Sequence, residues 1–290
     1  MGAADVVPGV SGGTVALVLG IYHRLIGQVS AGAHVLGSAA KFDLRTAWAR
    51  LRQLDWRFLI PLLAGIAVAI IGLASIIERL LDTQPIRMAA LFFGLVMGSV
   101  VVASRLVQGW DLSRVLIGLA TAVVTFFVLG LQSGPVNDPA LPIYFVAGAI
   151  AICAMILPGI SGSFLLLMLG MYDNVLGAVT DRNFLILAVF IAGCVIGLAA
   201  FSQVLHWGLV NHERTMLAAL IGLMVGSLRV LWPWPDGTAG NAALEMPSGD
   251  VIVPLVVAVV GFVLVLGITA ISERVAHRSD ADLAAELGED

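Results

Sequence analysis

The sequence predicts an all-α polytopic membrane protein built as an inverted repeat, in which each half contains a re-entrant hairpin and three transmembrane helices. Two observations predict this class. The 290 residues are 60% hydrophobic and only 12% charged, with a mean hydropathy of +1.03, whereas soluble domains carry about a quarter charged residues. In addition, one heptapeptide pattern occurs twice, at 8–14 and at 158–164, which indicates an internal duplication.

The repeated motif extends beyond the heptapeptide. The sequences PGVSGGT and PGISGSF are followed by VALVLGIYHRLI and LLLMLGMYDNVL. At a constant offset of 150 residues, 8 of the 19 positions from 8 to 26 are identical in the second copy. The Pro-Gly pair interrupts a helix, and a new helix is expected to begin after the serine of each motif.

Six apolar segments approach the ~20 residues that cross a hydrocarbon core of about 30 Å. They lie at about 58–77, 88–104, 115–131, 184–205, 215–231 and 251–271. The limbs around the second motif are shorter, which predicts a re-entrant hairpin with its tip in the protein interior. Alternatively, both limbs of each hairpin cross the membrane completely. The chain would then have ten crossings, and its two halves would still be inverted relative to each other. The first motif begins eight residues from Met1, so its descending limb is expected to lie upstream or to be missing.

The repeat continues after the hairpins. Gly94 and Gly98 align with Gly222 and Gly226 at an offset of 128. We interpret these glycines as sites of close helix packing. Each hairpin is followed by three spans. Because this number is odd, the two halves are expected to have opposite orientations in the membrane, as in many secondary transporters. The predicted domains are a first repeat at 1–134 with a cytoplasmic linker at 27–57, a second repeat at 135–275, and an acidic cytoplasmic tail at 276–290.

The distribution of charge orients the chain. With the linker and the C-terminus in the cytoplasm, eleven of the 15 basic residues lie on the inner side. The segment 39–56 is predicted either as an amphipathic helix on the cytoplasmic leaflet or as a plain charged connector. The net charge of −4 predicts no nucleic-acid partner. Cys153 and Cys194 are expected to be buried thiols, and neither a metal nor a cofactor is predicted.

The motifs favour the binding of an anion. A helix N-terminus presents unpaired amides and a partial positive charge, and glycines let a ligand approach that backbone. We therefore predict a site for a phosphate or carboxylate formed by residues of both motifs: Pro8, Gly9, Ser11, Gly12, Gly13, Thr14, Pro158, Gly159, Ser161, Gly162 and Ser163. The alternative is that these small residues only allow tight helix crossing. Because helix breaks at membrane depth are costly, their occurrence in two copies of opposite orientation favours a transport site.

A few ionisable residues near membrane depth are candidate proton or headgroup contacts. Four of them, Glu78, Arg79, Arg105 and Arg229, lie at predicted helix ends, where long side chains commonly reach the interface. Asp5 lies three residues before Pro8, and Met155 takes its place in the second copy. Asp5 is therefore a candidate proton acceptor without an acidic counterpart.

On these residues the chain resembles the bacterial polyprenyl-phosphate transporter family, whose members carry a duplicated PGVSGGT-like motif followed by LGxY. The resemblance implies a transporter, not an enzyme, that returns undecaprenyl phosphate across the cytoplasmic membrane, with this lipid and the membrane lipids as its partners. Moving one negative charge inward against an inside-negative potential costs about 2.3 kcal/mol per 100 mV. Proton coupling through Asp5 or Glu78 is therefore a further hypothesis.

Two other functions stay open. One is a permease for another small anion. The other is an intramembrane polyprenyl-diphosphate phosphatase, a family with a PGxSRSG-type loop in an inverted-repeat fold. Such an enzyme needs an arginine and acidic residues around the loop for phosphoryl chemistry. Neither motif contains an arginine and the spans contain no cluster of glutamates, so the sequence favours the transporter.

Overall fold

The regular elements that the structure describes are α-helices. The computed structural model describes residues 1–5, 11–131, 134, 136–235, 237 and 244–287, with side chains as far as Ile271. No β-strand occurs in these ranges. The predicted all-helical class is therefore confirmed.

The described residues up to Val128 form helices α1 to α7. Several of these helices begin at an acidic cap, because the carboxylates of Asp43, Asp55 and Asp111 each accept a hydrogen bond from an amide of the first helical turn. The helices are α1 (Gly2–Asp5), α2 (Gly12–Val18), α3 (Tyr22–Ala40), α4 (Leu44–Gln53), α5 (Trp56–Thr83), α6 (Pro85–Leu106) and α7 (Leu112–Val128).

The described residues from Leu141 onward form helices α8 to α13. These are α8 (Leu141–Ile156), α9 (Gly162–Met168), α10 (Tyr172–Thr180), α11 (Phe184–Asn211), α12 (Glu213–Ser227) and α13 (Ile252–Leu287), the last of which extends into the segment predicted as an acidic tail. The turn between α9 and α10 contains Gly170 with φ 67°, and the turn between α2 and α3 contains Gly20 with φ 69°. Side chains disfavour this left-handed conformation, which explains the repeated glycine of LGxY.

Four described helices are long and apolar enough to cross a membrane, rather than the six spans that were expected. They are α5, α6, α11 and the part of α13 at Ile252–Ile271. The segments expected at 115–131 and 215–231 contain α7, with 17 residues, and α12, with 15. Helix α12 ends early because the next amides bond three residues back in tighter turns, and Pro233 cannot continue the helix. A fifth span results if α9 and α10, bent by 110°, count as one.

Two helix pairs pack closely at glycines, α6 against α13 and α7 against α12. A Cβ atom on Gly94 would lie 1.9 Å from the carbonyl oxygen of Ala258, and one on Gly222 would lie 2.1 Å from that of Gly118. Because both distances are far below van der Waals contact, a larger residue would push the helices apart. The predicted packing role of these glycines is therefore confirmed. Helices α6 and α12 also contact each other and so join the two pairs.

Helix α11 brings the two halves of the chain together on another side. It packs along α8 and also against α3, which follows the first motif. Helix α5 contacts α1 and α6 but has no buried residue. Helix α2, which follows the first motif serine, contacts α3, α6 and α8, and α8 contacts α9 of the second motif.

The predicted linker at 27–57 is helical over most of its length. Helix α3 continues to Ala40, and the chain then turns at Phe42, where φ is 57°. The segment 39–56, predicted either as an amphipathic helix or as a plain connector, contains a helix limited to Leu44–Gln53. Leu44 and Trp48 are exposed, which agrees with a surface helix, whereas Ala47 is buried.

The end of this linker is tied to α3 by polar contacts. The guanidinium of Arg24 donates two hydrogen bonds to the carboxylate of Asp55, and Gln28 accepts a hydrogen bond from the amide of Asp55. The bond from Arg24 holds the pKa of the Asp55 carboxyl below its usual value. The start of α5 is therefore positioned by the helix that follows the first motif.

Candidate functional site

The described part of the first motif begins at Ser11, the N-cap of α2. Its hydroxyl oxygen accepts a hydrogen bond from the amide of Gly13 at 3.0 Å, and the hydroxyl donates to the carbonyl of Met155 at 3.0 Å. Ser11 is buried. Pro8 and Gly9, the predicted helix break, lie outside the described residues.

Asp5 lies against the start of α2. Its carboxylate accepts a hydrogen bond of 2.7 Å from the amide of Gly12. A Cβ atom on Gly12 would lie 2.6 Å from the same carboxylate, so a larger residue at this position would displace the Asp5 side chain. The carboxylate thus takes the position beside the first helical amides that favours negative charge. The structure places this candidate acid directly on the first motif.

The second motif contacts the first through backbone and hydroxyl. The amide of Gly159 donates a hydrogen bond of 2.8 Å to the hydroxyl oxygen of Thr14. Gly159 has φ 87°, and a Cβ atom there would lie 2.7 Å from the Ser227 hydroxyl. Pro158 is fully buried. The structure therefore brings together Thr14 of one motif and Gly159 of the other.

Residues of the first motif also cap the end of α8, the helix before the second motif. The last carbonyls of a helix have no partner inside it. The Ser11 hydroxyl donates a hydrogen bond to the carbonyl oxygen of Met155, and the Tyr22 hydroxyl donates one of 2.9 Å to the carbonyl oxygen of Ile156. Gly13 lies so close that a Cβ atom would be 2.9 Å from the Ile156 carbonyl. The role of Tyr22 is absent from the predicted site, although its repetition in both copies is a signal that could have indicated it.

The two copies of the motif differ in their contacts. The hydroxyls of Ser161 and Ser163 lie 2.8 Å apart and bond each other. Ser161 is the N-cap of α9, but its side chain does not bond a helical amide. Phe164 occupies the position of Thr14 and is buried. Gly162, by contrast, is packed like Gly12, since a Cβ atom there would lie 2.6 Å from the carbonyl of Ala151.

The other ionisable candidates lie near helix ends. Glu78 and Arg79 are exposed near the end of α5, and Arg105 is exposed in the last turn of α6. Arg229 follows α12, and its guanidinium lies 4.7 Å from the centre of the Phe126 ring. Among the five ionisable candidates, Asp5 is placed at the motifs.

A cavity of about 270 Å³ adjoins the first motif. It lies between α1, α2, α5, α6 and α13, and we call it the α6–α13 cavity. Its lining is apolar apart from the hydroxyl-bearing residues Thr14 and Ser99. The cavity therefore begins at the residue that receives the hydrogen bond from Gly159.

These features define a multi-pass helical membrane protein in which two copies of one motif meet. The chain belongs to the family described as undecaprenyl phosphate translocase-like, whose family model matches residues 1–246. The resemblance noted from the motifs is thereby confirmed.

Two curated relatives carry the same name, polyprenyl-phosphate transporter. The relative from Vibrio cholerae serotype O1 is 44% identical over 238 residues, which cover 81% of this chain and 76% of the relative. The relative from Staphylococcus aureus is 30% identical over 283 residues, which cover 92% of each chain. No solved structure matches the chain significantly.

Proposed function

We propose that this protein translocates undecaprenyl phosphate across the bacterial cytoplasmic membrane, so that the carrier lipid is reused in cell-wall synthesis. The observation that carries the proposal is the contact of the two motifs at Thr14 and Gly159. Family membership and the two named relatives support the choice of substrate and a transporter rather than an enzyme.

We propose that the halves form an inverted repeat. The contact of Gly94 with Ala258 has a counterpart in that of Gly222 with Gly118, with the halves exchanged. Gly94 and Gly222 are 128 positions apart, and their partners Gly118 and Ala258 are 140 positions apart. Helices α7 and α13 also begin 140 positions apart, at Leu112 and Ile252. A two-fold relation between the halves accounts for such an exchange.

Re-entrant hairpins are part of the same proposal. Helices α2 and α9 each have seven residues, about 10 Å of helix, which is too short to cross a membrane. Both are followed by a turn at a glycine, and the second motif is buried where α8 ends. Buried tips of this kind satisfy their backbone groups within the protein, as membrane depth requires.

The predicted orientation completes the topology that we propose. The basic linker containing α4 and the C-terminus lie in the cytoplasm, because basic residues favour that side. The proposed domains keep the predicted limits of 1–134, 135–275 and 276–290. The substrate site then lies between the two repeats.

For the headgroup, we propose that the lipid phosphate competes with Asp5 for the amides at the start of α2. The carboxylate bonds the Gly12 amide, and a charged acceptor makes a hydrogen bond about twice as strong as a neutral one. Protonation of Asp5 weakens this bond and frees the amide for the phosphate. A proton would then accompany the lipid and offset the cost of moving its charge.

Replacement of the motif hydroxyls tests the site. The double variant Ser11→Ala and Ser161→Ala is expected to slow uptake of labelled polyprenyl phosphate into proteoliposomes about tenfold, which corresponds to about 1.4 kcal/mol, because Ser11 supports both motifs. The matched control is Ser75→Ala, an exposed serine in α5.

Three results would contradict the proposal. Wild-type uptake by the double variant at equal protein level would leave the motifs with a packing role alone. Release of inorganic phosphate from the lipid by the purified protein would indicate the phosphatase. Transport of inorganic phosphate without transport of the lipid would indicate a permease for a small anion.

A further inference from the structure

The α6–α13 cavity has the composition of a site for hydrocarbon. No charged side chain lines it, and apolar residues of α2, α6 and α13 such as Val15, Leu95 and Leu264 form most of its wall. A phosphate would lose its hydration there without gaining a charged side chain as a partner. An uncharged hydrocarbon would lose nothing comparable and would bury apolar surface.

The polar end of the cavity is continuous with the contact between the motifs. Thr14 lines the cavity and accepts the hydrogen bond from the Gly159 amide. The other hydroxyl, that of Ser99, is already bonded to the carbonyl of Leu95 at 2.8 Å. A ligand with its hydrocarbon in the cavity would therefore have its other end at the motifs.

The position of Thr14 is occupied by a larger, apolar side chain in the second motif. Phe164 replaces Thr14 there and packs in a buried cluster with Leu129 and Val230. The serine equivalent to Ser99 is Ser227, which is fully buried against the second motif. The hydroxyl group at the polar end of the α6–α13 cavity therefore has no counterpart in the second motif.

We propose that the α6–α13 cavity holds the first isoprene units of the lipid, next to its phosphate. This inference rests on the proposed function, which supplies the lipid as substrate. A volume of about 270 Å³ is below the roughly 300–1,000 Å³ of pockets that enclose a whole drug-sized ligand. The cavity therefore takes a short segment, and the remainder of the chain stays in the bilayer.

Photocrosslinking tests the inference directly. The probe is a polyprenyl phosphate with a benzophenone on the isoprenoid close to the phosphate, bound to the full chain in nanodiscs. We expect crosslinks to the cavity wall, at Leu95 and Leu264, and loss of these crosslinks when unlabelled polyprenyl phosphate is added. Crosslinks confined to the exposed outer face of α5 would overturn the inference.

A pair of tryptophan variants on α13 provides a second measurement. Both side chains are exposed, Leu264 at 47% and Val263 at 57%, but Leu264 lines the cavity and Val263 does not. Leu264→Trp fills the cavity and is expected to reduce both crosslinking and uptake about tenfold, which is about 1.4 kcal/mol of lost binding. Val263→Trp is expected to leave both unchanged. Equal behaviour of the two variants, at equal melting temperature, would contradict a chain in the cavity.

Competition by unlabelled lipids distinguishes failure of this inference from failure of the proposed function. If unlabelled polyprenyl phosphate suppresses the crosslinks but they lie outside the cavity, the inference fails while the proposed function stands. If a phospholipid suppresses them equally well, the occupant is an ordinary acyl chain, which also overturns the inference. If polyprenyl phosphate suppresses no crosslink, the proposed function fails and the inference falls with it.

Discussion

Tyr22 and Tyr172 occupy the same position in the two copies of the motif but have different surroundings. Tyr22 is 1% exposed and bonds the last carbonyl of α8, whereas Tyr172 is 38% exposed. The carbonyl of Ile156 ends a helix and has no partner inside it. The hydroxyl of Tyr22 therefore replaces a bond that water would make at a solvated helix end.

Removing this hydroxyl is expected to destabilise the protein. In Tyr22→Phe the Ile156 carbonyl loses its partner, which costs about 1–3 kcal/mol for a buried acceptor. The expected result is a lower melting temperature of the purified protein in detergent. Tyr172→Phe is the matched control and is expected to melt like the wild type, since its ring is partly exposed. Equal melting of all three proteins would exclude a structural role of the hydroxyl.

At the scale of elements, glycine sets the distance between helices. The pairs α6–α13 and α7–α12 are close because Gly94 and Gly222 each face a carbonyl oxygen of the other helix. Helix α5, by contrast, has glycines with open space around them at Gly65 and Gly72. Glycine is thus required in some apolar helices of this chain and tolerated in others.

Alanine substitutions distinguish these two kinds of glycine. Gly94→Ala is expected to separate α6 from α13, because its Cβ would lie 1.9 Å from the Ala258 carbonyl oxygen. Overpacking of this kind costs about 1–3 kcal/mol, and more where backbone must move. Gly65→Ala, with no atom within 4 Å, is expected to leave stability unchanged or slightly raised. The yield of monodisperse protein and the melting temperature measure the difference; a stable Gly94→Ala variant would contradict the packing.

Much of this architecture can be predicted from the sequence, because periodicity and repeats are local signals. The apolar segments predict the helices, and the glycines at an offset of 128 predict the close packing. The partners of the hydroxyls cannot be predicted in this way. Nothing in the spacing of Ser11 and Thr14 indicates that they bond Met155 and Gly159, since those partners are more than 140 positions away. The early end of α12 depends on turns that apolar composition does not reveal.

At the scale of the whole molecule, hydroxyl groups of the first half form hydrogen bonds with the backbone of the second half. Ser11, Thr14 and Tyr22 bond Met155, Gly159 and Ile156 respectively. Each such bond contributes about 0.5–1.5 kcal/mol net. Three of them amount to a few kcal/mol, a difference that separates interconverting conformations of many proteins. Movement of one half against the other would therefore have to break bonds of moderate strength.

Proton coupling predicts how transport responds to ion gradients. Uptake of polyprenyl phosphate by reconstituted protein is expected to fall when both the pH gradient and the membrane potential are collapsed. Asp5→Asn is expected to lose the response to the pH gradient, because the amide cannot carry the proton that frees the Gly12 amide. Glu78→Gln is the comparison, since Glu78 is exposed near the end of α5. Unchanged transport by the wild type without either gradient would exclude coupling.

Because Thr14 of the first motif corresponds to Phe164 of the second, a copy of the second motif could not replace the first. A recombination event that copied the second motif over the first would replace the acceptor of the Gly159 hydrogen bond by a phenyl ring. The same event would place a phenyl ring at the polar end of the α6–α13 cavity, where Thr14 now lies. The difference at this one position is thus enough to prevent the second copy from substituting for the first.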